Sequence, residues 1–225
     1  MNITILSGAG LSAESGLGTF RDKDGLWTKY DLSEVATPEG FARNPKLVQD
    51  FYNARRKNCV EAAPNAAHDA LARLSTRPGV TLITQNIDDL LERAGAQSVI
   101  HMHGELMRAL CGACGHRWDA PAVMQVSDPC PACGAPATRP DVVWFGEMPY
   151  RMEDCEAALW EADLFVSIGT SAEVYPAAGF VDLAKQAGAR TLEINLEPSG
   201  RSHIFDEVLT GPASEVVPAW VAELS

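Results

Sequence analysis

Residues 2–13, Asn-Ile-Thr-Ile-Leu-Ser-Gly-Ala-Gly-Leu-Ser-Ala, join a short β-branched apolar run to a glycine turn. The run over 2–7 reads as a buried strand that ends abruptly at Gly8-Ala9-Gly10, a beginning shared by many nucleotide folds. Gly8, Gly10 and Ala13 form a G-x-G-x-x-A pattern, in which small residues let backbone N–H groups come close to a pyrophosphate. By itself the pattern also suits a glycine turn that holds no ligand. The acidic residue expected about 20 positions further on has no clear counterpart. Asn195-Leu196-Glu197, at the end of the last clear strand, offers an amide and a carboxylate for ribose hydroxyls if the strand order differs from that of a standard dehydrogenase.

Beyond this stretch, strand and helix patterns alternate. Residues 80–84, 98–101, 142–145, 163–168 and 191–195 read as strands. Residues 45–62, 65–75, 87–94, 176–187 and 213–224 read as helices, with Gly79, Gly95 and Gly188 closing three of these stretches. Continuous apolar strands alternating with helices imply an α/β fold with a parallel sheet covered on both faces. Residues 106–140, rich in Cys, Gly and Pro, break the rhythm and read as an inserted lobe.

Composition narrows the partners. The 225 residues are 46% hydrophobic and 21% charged, as in a soluble globular protein. Eighteen Lys+Arg against 30 Asp+Glu leave a net charge of −12, a field that repels phosphate backbones and anionic lipid. Neither nucleic acid nor membrane is an expected partner. No apolar run approaches the roughly 18 residues of a spanning helix, and residues 1–6 meet glycine before a signal-peptide core can form, so a cytoplasmic protein is expected.

Four of the six cysteines stand as Cys111-x-x-Cys114 and Cys130-x-x-Cys133, fifteen residues apart, which is zinc-ribbon spacing. Four thiolates close a tetrahedral shell and leave no place for water, so one structural Zn2+ that folds a lobe is expected. His116 would be a fifth ligand. The alternative, two redox pairs, lacks the strand-to-helix start such pairs use. Cys59 and Cys155 lie alone in helix-like stretches and read as small buried hydrophobes.

Thr84-Gln85-Asn86-Ile87-Asp88 ends one expected strand and His101-Met102-His103-Gly104 the next. Ligands of open α/β sheets bind outside the carboxyl ends of strands, so these polar groups would converge on one crevice. Either histidine could serve there as a general base near neutral pH, or be structural. Asn86 and Asp88 could equally cap a helix.

Taken together, Gly8 to Gly16, Thr19-Phe20-Arg21-Asp22, Thr84 to Asp88, His103-Gly104, the four cysteines, Gly169-Thr170-Ser171 and Asn195-Leu196-Glu197 resemble the sirtuins, which are NAD-dependent protein lysine deacylases. The match runs in the family's motif order from about residue 3 to 215. The resemblance implies a Rossmann-like large domain from about 1–24, 66–105 and 141–225, and a small lobe from about 25–65 (helical) and 106–140 (zinc ribbon). It also implies transfer of an acyl group from lysine to NAD: the acyl oxygen attacks C1′ of the nicotinamide ribose, nicotinamide leaves, and a ribose hydroxyl continues the reaction. His103 would be the base for that hydroxyl, Asn86 would orient the ribose and a water, and Asp88 would hold the carboxamide, flanked by Gln85 and Ile87. Gly8, Ala9, Gly10, Ser12, Ala13, Glu14, Thr19, Phe20, Arg21 and Trp27 would line the cofactor loop. Gly169, Thr170, Ser171, Asn195, Leu196 and Glu197 would surround the adenosine end, with Ala213 near adenine. Val142, Trp144, Phe145, Gly146 and Glu147 match the segment that pairs with a substrate peptide by strand addition. His101 has no catalytic counterpart. The implied partners are acylated-lysine proteins or peptides, met by a monomer.

Tyr52 and Arg55 stand three apart on an expected helix, hence on one face, and resemble the Tyr-x-x-Arg signature of sirtuins that prefer succinyl- and malonyl-lysine. A guanidinium fork and a phenol suit a terminal carboxylate. The competing reading is a solvated helix face, which Arg56 and Lys57 would supply more naturally. Two other classes fit parts of the pattern. An NAD-linked dehydrogenase would use the same glycine loop but leaves the zinc ribbon unexplained, and a non-catalytic NAD or ADP-ribose sensor could keep every binding motif.

Overall fold

The computed structural model describes residues 1–18 and 30–224. Its strands are β1 (Ile3–Ser7), β2 (Val80–Thr84), β3 (Ile100–His101), β4 (Gly104–Cys111), β5 (Arg117–Asp119), β6 (Thr138–Val142), β7 (Leu164–Ile168), β8 (Arg190–Asn195) and β9 (Glu207–Thr210). Its α-helices are α1 (Ala9–Ser12), α2 (Leu32–Val35), α3 (Pro38–Arg43), α4 (Pro45–Glu61), α5 (Ala66–Ser75), α6 (Leu90–Arg93), α7 (Met152–Trp160), α8 (Phe180–Gln186) and α9 (Ala213–Glu223).

Six strands form one parallel sheet in the order β3-β2-β1-β7-β8-β9, and β5-β4-β6 form a small antiparallel sheet. The period of two explains how β1 holds the centre: Ile3 and Ile5 pack with Leu71 and Leu74 of α5 and Val217 and Trp220 of α9. Leu6 points the other way, into a second core with Leu159 of α7 and Phe180 of α8. Helices thus cover both faces, as the continuous apolar strands require. The chain progresses outward from β1 in one direction and from β7 in the other. The seam between these two strands is therefore the switch point, where open α/β sheets leave a crevice.

A third core joins the helical segment to the antiparallel sheet, with Val48, Phe51, Tyr52 and Cys59 of α4 packed with Leu106, Val142 and Trp144. Helix α4 starts where its sequence says it should, at Pro45 with the Asn44 side chain accepting from Leu47 N. Among the described residues, no helix is long and apolar enough to cross a membrane.

Several local expectations change. The strand expected over 142–145 ends at Val142, because the Trp144 N–H is taken by the Glu147 carboxylate at 2.8 Å and Gly146 turns the chain with φ +91°. The helix expected over 87–94 starts only at Leu90, since the Asp88 carboxylate accepts from Leu90 N at 3.2 Å and holds a turn before it. The strand expected over 98–101 shrinks to Ile100–His101. Arg56 does not lie on a solvated face. It is 1% exposed, donates to Asn53 Oδ1 at 2.7 Å, and its burial lowers its pKa to about 10, which still leaves it charged at neutral pH.

Candidate active site

The crevice is built first by backbone packing. Gly8 N donates to Ile168 O at 2.9 Å and Gly10 N to Gly169 O at 2.8 Å, so the turn after β1 lies directly on the turn after β7. A Cβ on Gly10 would sit 2.7 Å from Gly169 Cα, and one on Gly169, whose φ is +61°, 2.5 Å from Leu11 N. Glycine is required on both sides of this contact, and two of the loop's N–H groups are already used in it. The contact brings the carboxyl ends of β1 and β7 together.

A polar chain lines the floor. Asn86 Nδ2 donates to Gly8 O (3.0 Å) and to Ser12 Oγ (3.2 Å), while its backbone N donates to Thr84 Oγ1 (3.0 Å). Both amide hydrogens are used, so the side-chain amide is fixed with Oδ1 as its remaining polar atom. Ser12 Oγ in turn donates to Asp88 Oδ2 at 3.1 Å. His68, fully buried on α5, reaches the same hydroxyl with Nε2 at 3.3 Å. Its Nδ1 accepts from Asn65 N at 3.2 Å, which leaves the proton on Nε2 to point at Ser12. Burial raises the Asp88 pKa, against the bonds from Leu90 and Ser12 and the charges of His101 and Arg55.

The two histidines separate cleanly. His103 follows β3 in a turn and bonds through Nδ1 to Gln85 O at 3.2 Å. A carbonyl can only accept, so Nδ1 carries the hydrogen and Nε2 the lone pair. Burial lowers its pKa, with the Gln85 bond opposing, and the ring is neutral at pH 7. His101 instead uses both nitrogens, on Asn86 O at 3.2 Å and on Glu92 Oε1 at 2.7 Å. Burial disfavours its charge, but Glu92 outweighs this and the pKa is raised. His103 thus keeps one ring nitrogen outside its backbone bond, whereas His101 has both engaged.

On the opposite wall, Tyr52 is buried and its phenol oxygen accepts from Trp144 Nε1 at 3.0 Å. The Arg55 guanidinium stands 5.9 Å from the Tyr52 ring centre, on the same face of α4, and burial lowers its pKa against the fields of Tyr52 and Asp88. Val143 N donates to His103 O at 2.8 Å, which ties the 142–147 segment to the His103 turn. Phe145 in that segment is exposed, as is Met148 just beyond it.

Beside the antiparallel sheet, at the end of β4, the four cysteine sulfurs lie within 4.8 Å of one another, with Cys111 to Cys133 at 3.7 Å and Cys114 to Cys130 at 3.8 Å. A tetrahedron with metal–sulfur bonds of about 2.3 Å has edges of about 3.8 Å, so the four thiols fit one zinc ion.

The Sir2 family pattern matches residues 8–176. The chain is 60% identical to an "NAD-dependent protein deacylase" of Caulobacter vibrioides, over 100% of this chain and 97% of that protein. It is 53% identical to a protein of the same name from Pasteurella multocida, over 99% and 97%. The chain belongs to the Sir2 family. A solved Sir2 homolog–NAD complex matches this Sir2 chain with TM-score 0.92 at 40% identity, covering 99% of this chain and 89% of the other. A Sir2 homologue mutant in complex with ADP-ribose gives 0.93 at 39%, covering 99% and 91%.

The Sir2 crevice gathers most of the residues singled out in the sequence. Gly8, Gly10, Ser12, Gln85, Asn86, Asp88, His103 and Gly169 are joined by the contacts above. Asn195 holds the far side by donating from Nδ2 to Thr170 O at 2.8 Å. Both oxygens of Glu14 bond to Ser214, so that residue anchors the start of α9 next to Ala213. Leu196 and Glu197 are exposed beyond β8. Thr19, Phe20, Arg21 and Trp27 lie outside the described residues. Sequence reasoning missed His68, although Asn65 three residues before it marks a reciprocal cap. It also missed Glu193, buried at the end of the sheet and bonded to Ser199 N and Ser202 Oγ, which pins the loop after β8.

His68 is expected to make the stability of this Sir2 protein sensitive to acid. Burial lowers its pKa to about 4. Between that value and the ordinary histidine pKa of about 6.5, the unfolded chain takes up a proton that the folded one refuses. Stability is therefore expected to fall as pH drops through this window, by on the order of 3 kcal/mol from this residue. Urea unfolding at stepped pH should show a shallower slope in His68→Gln than in the parent. Equal slopes would remove the assignment.

Proposed function

We propose that this Sir2 protein removes acyl groups from protein lysines at the expense of NAD, accepting succinyl and malonyl as well as acetyl. It is an NAD-dependent protein-lysine deacylase, and nicotinamide and an O-acyl-ADP-ribose are the products this reading requires. NAD, when bound, supplies a sugar carbon made electrophilic by the departure of nicotinamide. The observation that carries the reading is His103: a neutral imidazole, held by Gln85 O through Nδ1 and so carrying its lone pair on Nε2, beside a glycine cradle at the switch point. In this reading His103 deprotonates a ribose hydroxyl. Asn86, anchored through Nδ2, offers Oδ1 to the ribose and a water, while Asp88, braced by Ser12, takes the carboxamide. The adenosine end rests on Gly169, Thr170, Ser171 and Asn195. In this reading residues 142–147 receive the peptide, and Phe145 in that segment is exposed. The chain then divides into a Rossmann-like domain and a small lobe made of the helical and zinc-ribbon segments, and the third core packs α4 of that lobe against Leu106, Val142 and Trp144. A solved Sir2 protein with a deacetylated p53 peptide, 27% identical with TM-score 0.85, is in keeping with a peptide substrate.

The acyl preference rests on Tyr52 and Arg55. The two share one face of α4, Tyr52 is buried and oriented by Trp144, and the Arg55 guanidinium lies within electrostatic reach of both Tyr52 and Asp88. A terminal acyl carboxylate would meet a charge and a hydroxyl there, whereas an acetyl methyl would meet neither. A charge-assisted hydrogen bond is worth about 1.5–3 kcal/mol, and each 1.36 kcal/mol is about tenfold in rate. Arg55→Met is therefore expected to lower desuccinylase kcat/KM by about 10- to 150-fold and to change deacetylation little. One peptide carrying either acyl group serves for the comparison. Equal losses on both would return the protein to a plain deacetylase with Arg55 as a support of the fold.

A further inference from the structure

We propose that Trp144 is a positioning residue for acyl recognition, acting through Tyr52: its indole N–H occupies the phenol oxygen and so turns the phenol hydrogen towards the acyl carboxylate. The inference rests on the Tyr52 and Arg55 reading above. An indole nitrogen is a donor only, so in the 3.0 Å contact from Trp144 Nε1 to the Tyr52 oxygen the phenol must accept. Its own hydrogen is then free for a second partner, and no described residue accepts it. Tyr52 and Trp144 are each 3% exposed, and a buried donor without an acceptor is unfavourable, so an oxygen of the bound acyl group completes the set. Burial raises the Tyr52 pKa, which keeps the hydrogen in place at neutral pH.

Trp144 is itself held from both sides. The Arg139 guanidinium lies 3.5 Å over its ring, and Arg139 forms two bonds to Glu147, at 2.7 and 2.8 Å. Glu147 closes the loop by accepting from Trp144 N at 2.8 Å. Phe41 packs against the ring with centroids 5.1 Å apart. A phenylalanine at 144 would keep the packing and lose the donor, leaving the phenol free to turn its hydrogen elsewhere. The tryptophan at this position is thus coupled to the tyrosine 92 residues earlier by one hydrogen bond.

The test is a cycle of Trp144→Phe, Tyr52→Phe and the double variant, with Arg55→Met alongside, each assayed on one peptide as succinyl- and acetyl-lysine at saturating NAD. Trp144→Phe is expected to raise KM for the succinyl peptide by about 3- to 12-fold more than for the acetyl peptide, and to add nothing once Tyr52 is phenylalanine. Arg139→Gln, which removes the group seated on the indole, is expected to shift the ratio in the same direction and serves if Trp144→Phe does not fold. Equal changes on both acyl groups, or a full further loss in the Tyr52→Phe background, would overturn the inference. If Arg55→Met shifts the ratio and Trp144→Phe does not, only the role of Trp144 falls. If Arg55→Met leaves the ratio unchanged, the acyl-carboxylate reading falls and takes this inference with it.

Discussion

Replacing His103 by alanine is expected to lower deacylation by about 100- to 10,000-fold while NAD affinity stays within a few-fold of the parent. The size follows from what the side chain alone can do. Its Nδ1–H is tied to Gln85 O, which leaves the Nε2 lone pair able to act as a base, whereas the neighbouring His101 is bonded through both nitrogens. The affinity prediction follows from the glycine cradle and the Asn86 and Ser12 bonds, none of which uses the imidazole. The pH profile adds a signature. Burial lowers the His103 pKa and only the neutral ring can act as base, so parental kcat/KM should be full at neutral pH and fall on acidification, at a more acid pH than an ordinary histidine would give. Steady-state rates across pH and calorimetric NAD titration of both proteins check this. An active His103→Ala with a dead His101→Ala would reverse the assignment.

Cys111→Ser is expected to unfold the zinc sheet and abolish activity without touching the crevice directly. Cys111 ends β4, is 1% exposed, and its sulfur lies 3.7 Å from that of Cys133, so a hydroxyl there removes one of four ligands from a closed shell. Structural zinc supplies about 10–16 kcal/mol in small zinc domains, comparable with the whole stability of an ordinary domain at about 5–15 kcal/mol. The damage would spread along two routes. β4 is bonded to the Gln85–Asp88 loop through Leu106 N to Ile87 O at 2.7 Å, and the Gln49 side chain of α4 donates to Thr138 O at 2.9 Å. Loss of the sheet would therefore loosen both the Asp88 turn and the helix carrying Tyr52. Metal analysis with hydrogen exchange should show less than one zinc per chain and lost protection in Gly104–Cys111 and Thr138–Val142. A metal-free variant with parental stability and turnover would contradict a structural role.

The parts of the fold that could be read in advance are those set by local pattern. β1 and the glycines after it were legible because an apolar β-branched run and a sharp stop leave few alternatives, and β2 and α5 because their periods and caps agree. The cysteines were legible by spacing alone. What was hidden depends on contacts between distant segments. Nothing near Arg56 in sequence announces that Met124 and Thr138 will come to lie along α4, so periodicity placed that arginine in water when it is buried. His68 meets Ser12 across 56 positions, and the tautomer of His103 is set by a carbonyl 18 residues away. β9 was missed because its four residues are at most half-buried, and α7 because it buries only Cys155 and Leu159.

Acyl transfer to NAD, rather than hydride transfer or simple binding, is the chemistry we propose for this crevice. Mass spectrometry after incubation with NAD and matched succinyl- and acetyl-lysine peptides distinguishes the three. The expected result is one nicotinamide and one O-acyl-ADP-ribose for each lysine freed, with the succinyl peptide consumed at least as fast as the acetyl one. Free lysine without nicotinamide, NADH in place of nicotinamide, or NAD bound and returned unchanged would each contradict it.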